Sequence, residues 1–298
     1  MSPSPGRTLI IGVDGLIGRG MYQHLSRQDP TLWASSRRQG SAFHHLDLAN
    51  LTPPNGSALY ADGYRYALLA AGISRIAACE QNPEQSRQIN VTGTLELASA
   101  LSEVGIIPIV FSSDYVFDGQ QAPYHEQAKT CPLNVYGSQK ARLELELPKV
   151  CREYLLLRLS KVYTRQMGDG SLLTEILGKL NQGQRLRIAK DQQFSPIWLA
   201  DVVGAIEQLQ LKQARGLYNL AGSQSFSRWE IAMMLAERCG LPTDLLAPIK
   251  LADLNEPFAR PGNTSLTVSK LEGVLTQPLT LLENSIDALA QYTGGRQR

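Results

Sequence analysis

The sequence predicts an α/β protein: a doubly wound parallel sheet with a smaller, mostly C-terminal α/β lobe. Three observations predict it. Residues 8–11 form a short β-rich run that leads into glycines at 12, 15 and 18, then into a helical pattern ending near Leu25. Strand-like and helix-like segments alternate from there to about residue 160, the rhythm of βαβ units whose crossovers make neighbouring strands parallel. Residues 107–113 are an apolar run ending in hydroxyl residues, and the helix that follows carries Tyr136 and Lys140, four apart on one face.

Composition agrees with this class. The chain has 298 residues, 43% of them hydrophobic and 19% charged, with a formal net charge of +2. That length suits one large domain or a domain with a smaller lobe, and the charge gives no reason to expect nucleic-acid binding. No uninterrupted apolar segment approaches the roughly 20 residues that span a bilayer, so no membrane association is expected. Residues 1–7 lack an apolar signal core and read as a disordered tail. Cys79, Cys131, Cys151 and Cys239 show no paired spacing, and His44-His45 stands outside any metal-ligand motif. Reduced thiols, a cytoplasmic location and no bound metal are the expectation.

The first strand is expected over 8–13. Its G-x-x-G-x-x-G turn provides a tight bend, close backbone approach to a pyrophosphate, and close helix packing, with the phosphates at the helix N-terminus. Gly12, Asp14, Gly15, Leu16 and Ile17 are the expected cofactor contacts. Asp14 brings a negative charge near those phosphates unless it caps the helix and points away. The second strand, near 32–36, ends in Ser36-Arg37-Arg38. An acid at this place holds a ribose 2′-hydroxyl, whereas a planar, permanently charged guanidinium suits a 2′-phosphate. NADP(H) is therefore the expected cofactor, the alternative being a solvated basic loop. A third strand over 43–48 ends at Asp47 and Leu48, where an acid reaches the adenine amino group. Pro53-Pro54-Asn55-Gly56 makes the next connection short or irregular. A fourth strand over 66–71 ends at Ala70, Ala71 and Gly72, small enough to let the backbone approach the cofactor. A helical stretch over 83–104, a strand over 107–112, a helix over 136–147 and a strand over 154–160 follow.

Beyond Arg165 the rhythm weakens. Gly168-Asp-Gly170 opens a helix through Leu180, residues 185–188 read as a short strand, and 198–209 as an amphipathic helix. Residues 216–220 are expected to rejoin the sheet. Ser227 and Glu230 have capping-box spacing at the head of a helix that Gly240 ends. Prolines 242, 248, 257 and 261 mark an irregular stretch, and a last helix is expected over 279–292. The division that results is a Rossmann-type NADP-binding domain over 1–164 with about 192–221, and a substrate-binding lobe over about 165–191 with 222–298.

A serine, a tyrosine and a lysine brought together protonate a carbonyl oxygen while hydride arrives at carbon. Free tyrosine titrates near pH 10, and a neighbouring ammonium is expected to lower that value. Tyr136 is then the general acid, Lys140 its partner and a ligand of the nicotinamide ribose, and a serine at 112 or 113 the donor to the oxyanion.

With the glycine motif, Ser112-Ser113-Asp114-Tyr115-Val-Phe-Asp-Gly119 and Tyr136-x-x-x-Lys140 in view, the chain resembles the extended short-chain dehydrogenase/reductases. Within them it is most similar to the dTDP-4-dehydrorhamnose reductase branch. Ile89-Asn90-Val-Thr-Gly-Thr94, Pro123-Tyr-His-Glu126, Pro132-Leu-Asn-Val-Tyr136-Gly, Asp191-Gln192 with Pro196, and Arg260-Pro-Gly-Asn263 with Leu266 and Lys270-Leu271 carry the resemblance, which runs from about Leu9 to Leu289. It implies an NADP(H)-dependent oxidoreductase acting on a keto group of a nucleotide-activated deoxysugar, with a homodimer as the implied assembly. It selects Ser113, directly before Asp-Tyr, as the catalytic hydroxyl. It places Asn90, Ser112, Ser160 and Val162, with Tyr136 and Lys140, against the cofactor. Ser74, Asp114, Tyr115, Lys161, Phe194, Arg260 and Asn263 are implied to face the substrate.

Two departures stand out. Lys161 occupies a segment where the family usually has tryptophan, and Phe194 and Ile197 stand where glycine and threonine are common. Either Lys161 turns outward or pairs with an acid, or the substrate is a different, anionic carbonyl or imine. The branch also includes the NADP-binding regulatory subunit of methionine adenosyltransferase. Arg37-Arg38, Ser112-Ser113 and Tyr136/Lys140 resemble that protein equally, so a non-catalytic, cofactor-binding subunit is the alternative.

Overall fold

The structure is a computed structural model that describes residues 6–294. Its central sheet has seven strands: β1 Arg7–Ile11, β2 Ala34–Ser36, β3 His44–His45, β4 Tyr64–Leu69, β5 Ile107–Ser113, β6 Leu155–Leu159, and the edge strand Gly216–Leu220. Their order is edge strand, β6, β5, β4, β1, β2, β3. β1 pairs in parallel with both β2 and β4, and the pairs β2/β3 and β4/β5 are parallel too. Strand order therefore reverses at β1. In such sheets the crevice beyond the carboxyl ends of the two strands flanking the reversal is where ligands bind.

The central strands β1 and β4 are largely apolar, as befits a parallel sheet whose faces are covered by crossover helices. Leu9, Ile10 and Ile11 of β1 and Ala67 and Leu68 of β4 have no solvent exposure. β1 stops at Ile11, two residues before the expected end, because Gly12 leaves the extended region with φ of +93°. β4 runs from Tyr64 to Leu69 instead of 66–71, which frees Ala70, Ala71 and Gly72 as a loop at its carboxyl end. β3 keeps only two residues of the expected six. The broken connection after β3 contains one short helix, Gly56–Ala61, capped by the Asn55 side chain, which accepts from the Ala58 N–H. The stretch 83–104 is helical but not uniformly α: Pro83–Arg87 leads into a wide π turn, Gln88–Gly93, and then Thr94–Glu103. The short helix Ile76–Gln81 is an element that the sequence pattern does not show.

Contacts divide the chain into two compact units. The first contains residues up to Val116, Pro132–Arg158 and Val203–Tyr218; the second contains Phe117–Cys131, Leu159–Val202 and residues from Asn219 onward. The core of the first unit joins Leu9 and Ile11 to Leu69, Leu97, Val110, Leu143 and Leu156. The helix Val135–Val150 enters this core through Leu143 and Leu147, both fully buried. In the second unit the helices Leu172–Asn181, Arg228–Arg238 and Leu282–Gly294 pack Leu173, Ile176, Leu177, Ile231, Leu235, Ile286 and Leu289 together with Phe194. Its strands are short: Leu186–Ala189 pairs in parallel with Leu246–Ile249, inside the proline-rich stretch that the sequence marks only as irregular. The capping box is present in full. Ser227 Oγ accepts from the Glu230 N–H at 3.1 Å and Glu230 Oε2 accepts from the Ser227 N–H at 2.6 Å.

Of the expected tail, residues 1–5 lie outside the described residues. Arg7 instead opens β1, donating from Nε to Asp29 Oδ2 at 2.8 Å with its guanidinium over the Tyr64 ring. Among the described residues no helix is long and apolar enough to cross a membrane.

Candidate active site

The glycine turn is built by exclusion of side chains. A Cβ on Gly12 would stand 2.7 Å from the Ala71 nitrogen, and one on Gly18 would stand 2.1 Å from the Gly12 oxygen. Gly12 also needs its positive φ, which only glycine adopts without strain. A Cβ on Gly15 would meet nothing nearer than 3.7 Å, so that side of the turn is open. The helix Leu16–Leu25 begins at Gly15 with no side chain capping its first turn. Its unsatisfied N–H groups and the positive end of its dipole therefore remain available to an anion. An open, uncapped helix start behind a strand-to-helix turn fits the pyrophosphate of a dinucleotide. Leu16 and Ile17 lie half-buried in that first turn.

Asp14 does not cap this helix. Its Oδ2 accepts from the Ser36 hydroxyl at 2.6 Å, and its Oδ1 lies 3.5 Å from Arg38 Nε. Ser36 Oγ in turn accepts from the Arg38 N–H at 3.0 Å. Arg37 is exposed beside them. Asp47 Oδ1 accepts from the Ala49 N–H at 3.0 Å in a local turn, and Leu48 is buried. Ala70, Ala71 and Gly72 follow β4 directly, and Ser74 is exposed further along the same loop. Asn90, in the π turn, clamps that loop. Its Oδ1 accepts from the Ile73 N–H at 2.8 Å, and its Nδ2 donates to the Ile73 oxygen at 2.9 Å and to Gln139 Oε1 at 2.8 Å.

At the end of β5 the two serines point to opposite sides, as successive strand residues must. Ser112 donates to Glu144 Oε1 at 2.5 Å. Glu144 also pairs with Arg158 through Oε2 to Nη2 at 2.7 Å and Oε1 to Nε at 2.9 Å. Arg158 is 2% exposed, so this is a buried ion pair with a serine attached. Ser113 lies beside the Tyr136 phenol and favours its charged form. Ser113 Oγ also donates to Asp114 Oδ1 at 3.1 Å and accepts from the Tyr115 N–H at 3.2 Å. Tyr115 meets Tyr136 edge-on with ring centres 6.3 Å apart. Asn134 caps the helix that carries Tyr136 and Lys140, its Oδ1 accepting from the Gly137 N–H at 2.9 Å.

Burial pushes the Tyr136 phenol well above its ordinary range; the neighbouring Ser113 hydroxyl opposes this and the Asp114 carboxylate adds to it. Burial pushes Lys140 down to about 8. The expected lowering of the tyrosine by the ammonium is thus not what the fold produces. Lys140 Nζ donates to the Phe111 main-chain oxygen at 2.8 Å and stands 5.9 Å from the centre of the Tyr136 ring. Loss of water around the phenol outweighs an ammonium placed on the backbone instead of on the phenol oxygen.

The second unit holds the remaining candidates. Ser160 Oγ accepts from the Ser195 N–H at 3.2 Å, and Val162 pairs in register with Ile197. Lys161 is exposed, and its main-chain oxygen accepts from the Ile197 N–H at 3.0 Å. Phe194 is 4% exposed and belongs to this unit's core. Asn263 ties its own loop, accepting from Ser265 Oγ at 2.7 Å and donating to Gln193 Oε1 at 3.2 Å. Arg260 is paired with Glu256 and lines a cavity of about 240 Å³ together with Lys179, Arg187, Gln192 and Arg228. Arg228 Nε donates to Gln192 Oε1 at 3.1 Å. Lys179, Arg187 and Arg228 are residues that sequence reasoning missed. The Asp191-Gln192 motif was the available signal, because Gln192 is what Arg228 rests on.

A family profile described as RmlD substrate binding domain matches residues 6–293. Methionine adenosyltransferase 2 subunit beta of Xenopus tropicalis is 31% identical over 287 residues, covering 91% of this chain and 83% of that protein. The probable low-salt glycan biosynthesis reductase Agl14 of Haloferax volcanii is 27% identical over 288 residues, covering 94% of this chain and 96% of that one. Among solved structures, dTDP-4-dehydrorhamnose reductase of Bacillus anthracis in complex with NADP superposes with a TM-score of 0.84 at 20% identity, over 97% of this chain and 99% of that chain.

Proposed function

This chain belongs to the RmlD substrate binding domain family, and from that premise we propose that it is an NADP(H)-dependent reductase of a keto group on a nucleotide-activated deoxysugar. The observation that carries the reading is the grouping of three side chains: the Ser113 hydroxyl acts on the Tyr136 phenol, and Lys140, one turn further along the helix of Tyr136, is anchored to the Phe111 oxygen of β5. Ser113 ends β5 and Tyr136 lies in the first turn of the helix Val135–Val150, both in the same unit as the glycine turn. A bound nicotinamide supplies the hydride; the protein supplies position and field. Tyr136 holds its proton at neutral pH, as any phenol that titrates at 10 or above does, and is in the right form to give that proton to the carbonyl oxygen. Ser113 orients the phenol and the substrate oxygen, and Lys140 holds the ribose. Gly12, Gly15 and the first turn of the helix hold the pyrophosphate, and Arg37 and Arg38 favour the 2′-phosphate. Within the second unit, the cavity lined by Lys179, Arg187, Arg228 and Arg260 together with Glu175 offers guanidinium donors of the kind that bind phosphate groups.

A second reading is a dinucleotide-binding regulatory subunit without turnover of its own, favoured by the 31% identity to a methionine adenosyltransferase 2 subunit beta. NADPH oxidation by the purified chain with a panel of nucleotide 4-ketosugars separates the two. Turnover that disappears in Tyr136→Phe supports the reductase. Tight NADPH binding with no turnover on any member of the panel, joined to a changed rate of a methionine adenosyltransferase on mixing, supports the subunit.

A further inference from the structure

The geometry points to Asp14 as the residue that sets the choice between NADPH and NADH, an inference that rests on the dinucleotide reading above. The carboxyl end of β2 is where a doubly wound sheet meets the 2′ substituent of an adenosine ribose. In this chain that end offers three donors: the Ser36 hydroxyl, the Arg38 side chain and, beside them, Arg37. A carboxylate is already seated on two of them. Asp14 Oδ2 accepts from Ser36 Oγ at 2.6 Å, and Oδ1 stands 3.5 Å from Arg38 Nε. Ser36 is almost fully buried and its oxygen also accepts the Arg38 N–H, so its hydroxyl has little freedom to turn elsewhere.

The two ligands meet this arrangement differently. A 2′-phosphate carries a charge of roughly −1.5 to −2 at pH 7 and only accepts. It must compete with Asp14 for Ser36 and Arg38 while being repelled by it. A 2′-hydroxyl donates as well as accepts, so it can give its proton to Asp14 and leave the Ser36 contact in place. Arg38 is weakly held, being largely exposed and 3.5 Å away, and is free to move to a phosphate. The short, charge-assisted Ser36 contact is not so easily surrendered. Asp14 therefore plays, from the glycine turn, the part that an acid at the end of β2 would play. It opposes Arg37 and Arg38, and both dinucleotides are accepted.

The test is calorimetry on the full chain with NADPH, NADH, 2′,5′-ADP and ADP, for the wild type, Asp14→Asn and Asp14→Ser. The two nucleotide probes report the ribose end without any contribution from the nicotinamide. Removing the carboxylate charge is expected to tighten NADPH and 2′,5′-ADP by about tenfold, the scale of one like-charge contact at a partly exposed site. NADH and ADP should weaken or stay within about twofold, so the NADPH-to-NADH preference rises by about tenfold. Asp14→Ser carries the same expectation should the asparagine variant fail to fold. If the wild type binds the dinucleotides and neither variant moves that ratio, Asp14 has no such role while the cofactor reading stands. If the wild type binds none of the four ligands, both fall together.

Discussion

The ammonium of Lys140 donates to the main-chain oxygen of Phe111 at 2.8 Å, which ties the helix of Tyr136 to β5 two residues before Ser113. The contact fixes the relation between phenol and serine hydroxyl. It also leaves a cation in a poorly hydrated place, and its titration makes the cost measurable.

Lys140 titrates at about 8 in the fold against 10.5 ordinarily. Between those values the unfolded chain holds this proton and the folded protein does not, so stability rises as pH rises through the window and is lost again as pH falls to about 8. Urea unfolding of the wild type is expected to show a gain of about 1–3 kcal/mol between pH 8 and 10 that Lys140→Met lacks. Identical pH dependence in the two proteins would remove the desolvation argument.

Tyr136→Phe removes a proton donor and leaves the ring against Tyr115. Turnover on the substrate identified by the ketosugar panel should fall by about 10²–10⁴. NADPH affinity, measured by fluorescence titration, should stay within about twofold, because no phosphate or ribose contact is assigned to the phenol ring. An active Tyr136→Phe protein would refute the acid role.

The two serines of β5 should behave oppositely. Ser113→Ala is expected to lower kcat by about 10²–10³ with little change in unfolding midpoint, the scale of one lost oxyanion donor. Ser112→Ala should cost about 1–2 kcal/mol of stability through Glu144, with kcat nearly unchanged. Steady-state kinetics and chemical denaturation on both variants decide it; reversed phenotypes would assign the wrong serine to Tyr136.

Glu144 and Arg158 form a pair with side chains 10% and 3% exposed. Arg158→Met leaves a carboxylate buried with Ser112 as its remaining side-chain partner among the contacts described above, and should cost about 3–5 kcal/mol. Adding Glu144→Leu should recover most of that loss, since replacing both charges removes the uncompensated ion. A double variant as unstable as the single one would mean that shape, not charge, is what the site requires.

Lys161 is exposed, in the segment where the family resemblance implies a tryptophan. Lys161→Trp is expected to raise kcat/KM for dTDP-4-dehydrorhamnose by about tenfold and to lower it for carboxylated keto substrates by a similar factor, the size of one lost or gained charge contact. Competition assays with both substrate types measure it. Unchanged ratios would make Lys161 a surface residue without a part in selection.

Local features were legible from the residues alone. The strand–glycine turn–helix, the Ser227–Glu230 capping box and the helical pairing of Tyr136 with Lys140 depend on neighbours within about four positions, where backbone geometry and side-chain spacing decide the outcome. The residues alone left Ser112 and Ser113 open as the catalytic hydroxyl, and the family resemblance selected Ser113 through its place before Asp-Tyr. What the sequence did not contain was every relation set by packing between distant segments. Asp14 meets Ser36 across 22 positions and Ser112 meets Glu144 across 32. The cationic cavity draws on Lys179, Arg187, Arg228 and Arg260, which no single motif unites. The same limit applies to the expected effect of Lys140 on Tyr136. Sequence placed the two side by side on one helix, but the tertiary structure decided how much water each would lose and which oxygen the ammonium would face. Those two quantities, not spacing along the chain, set a pKa.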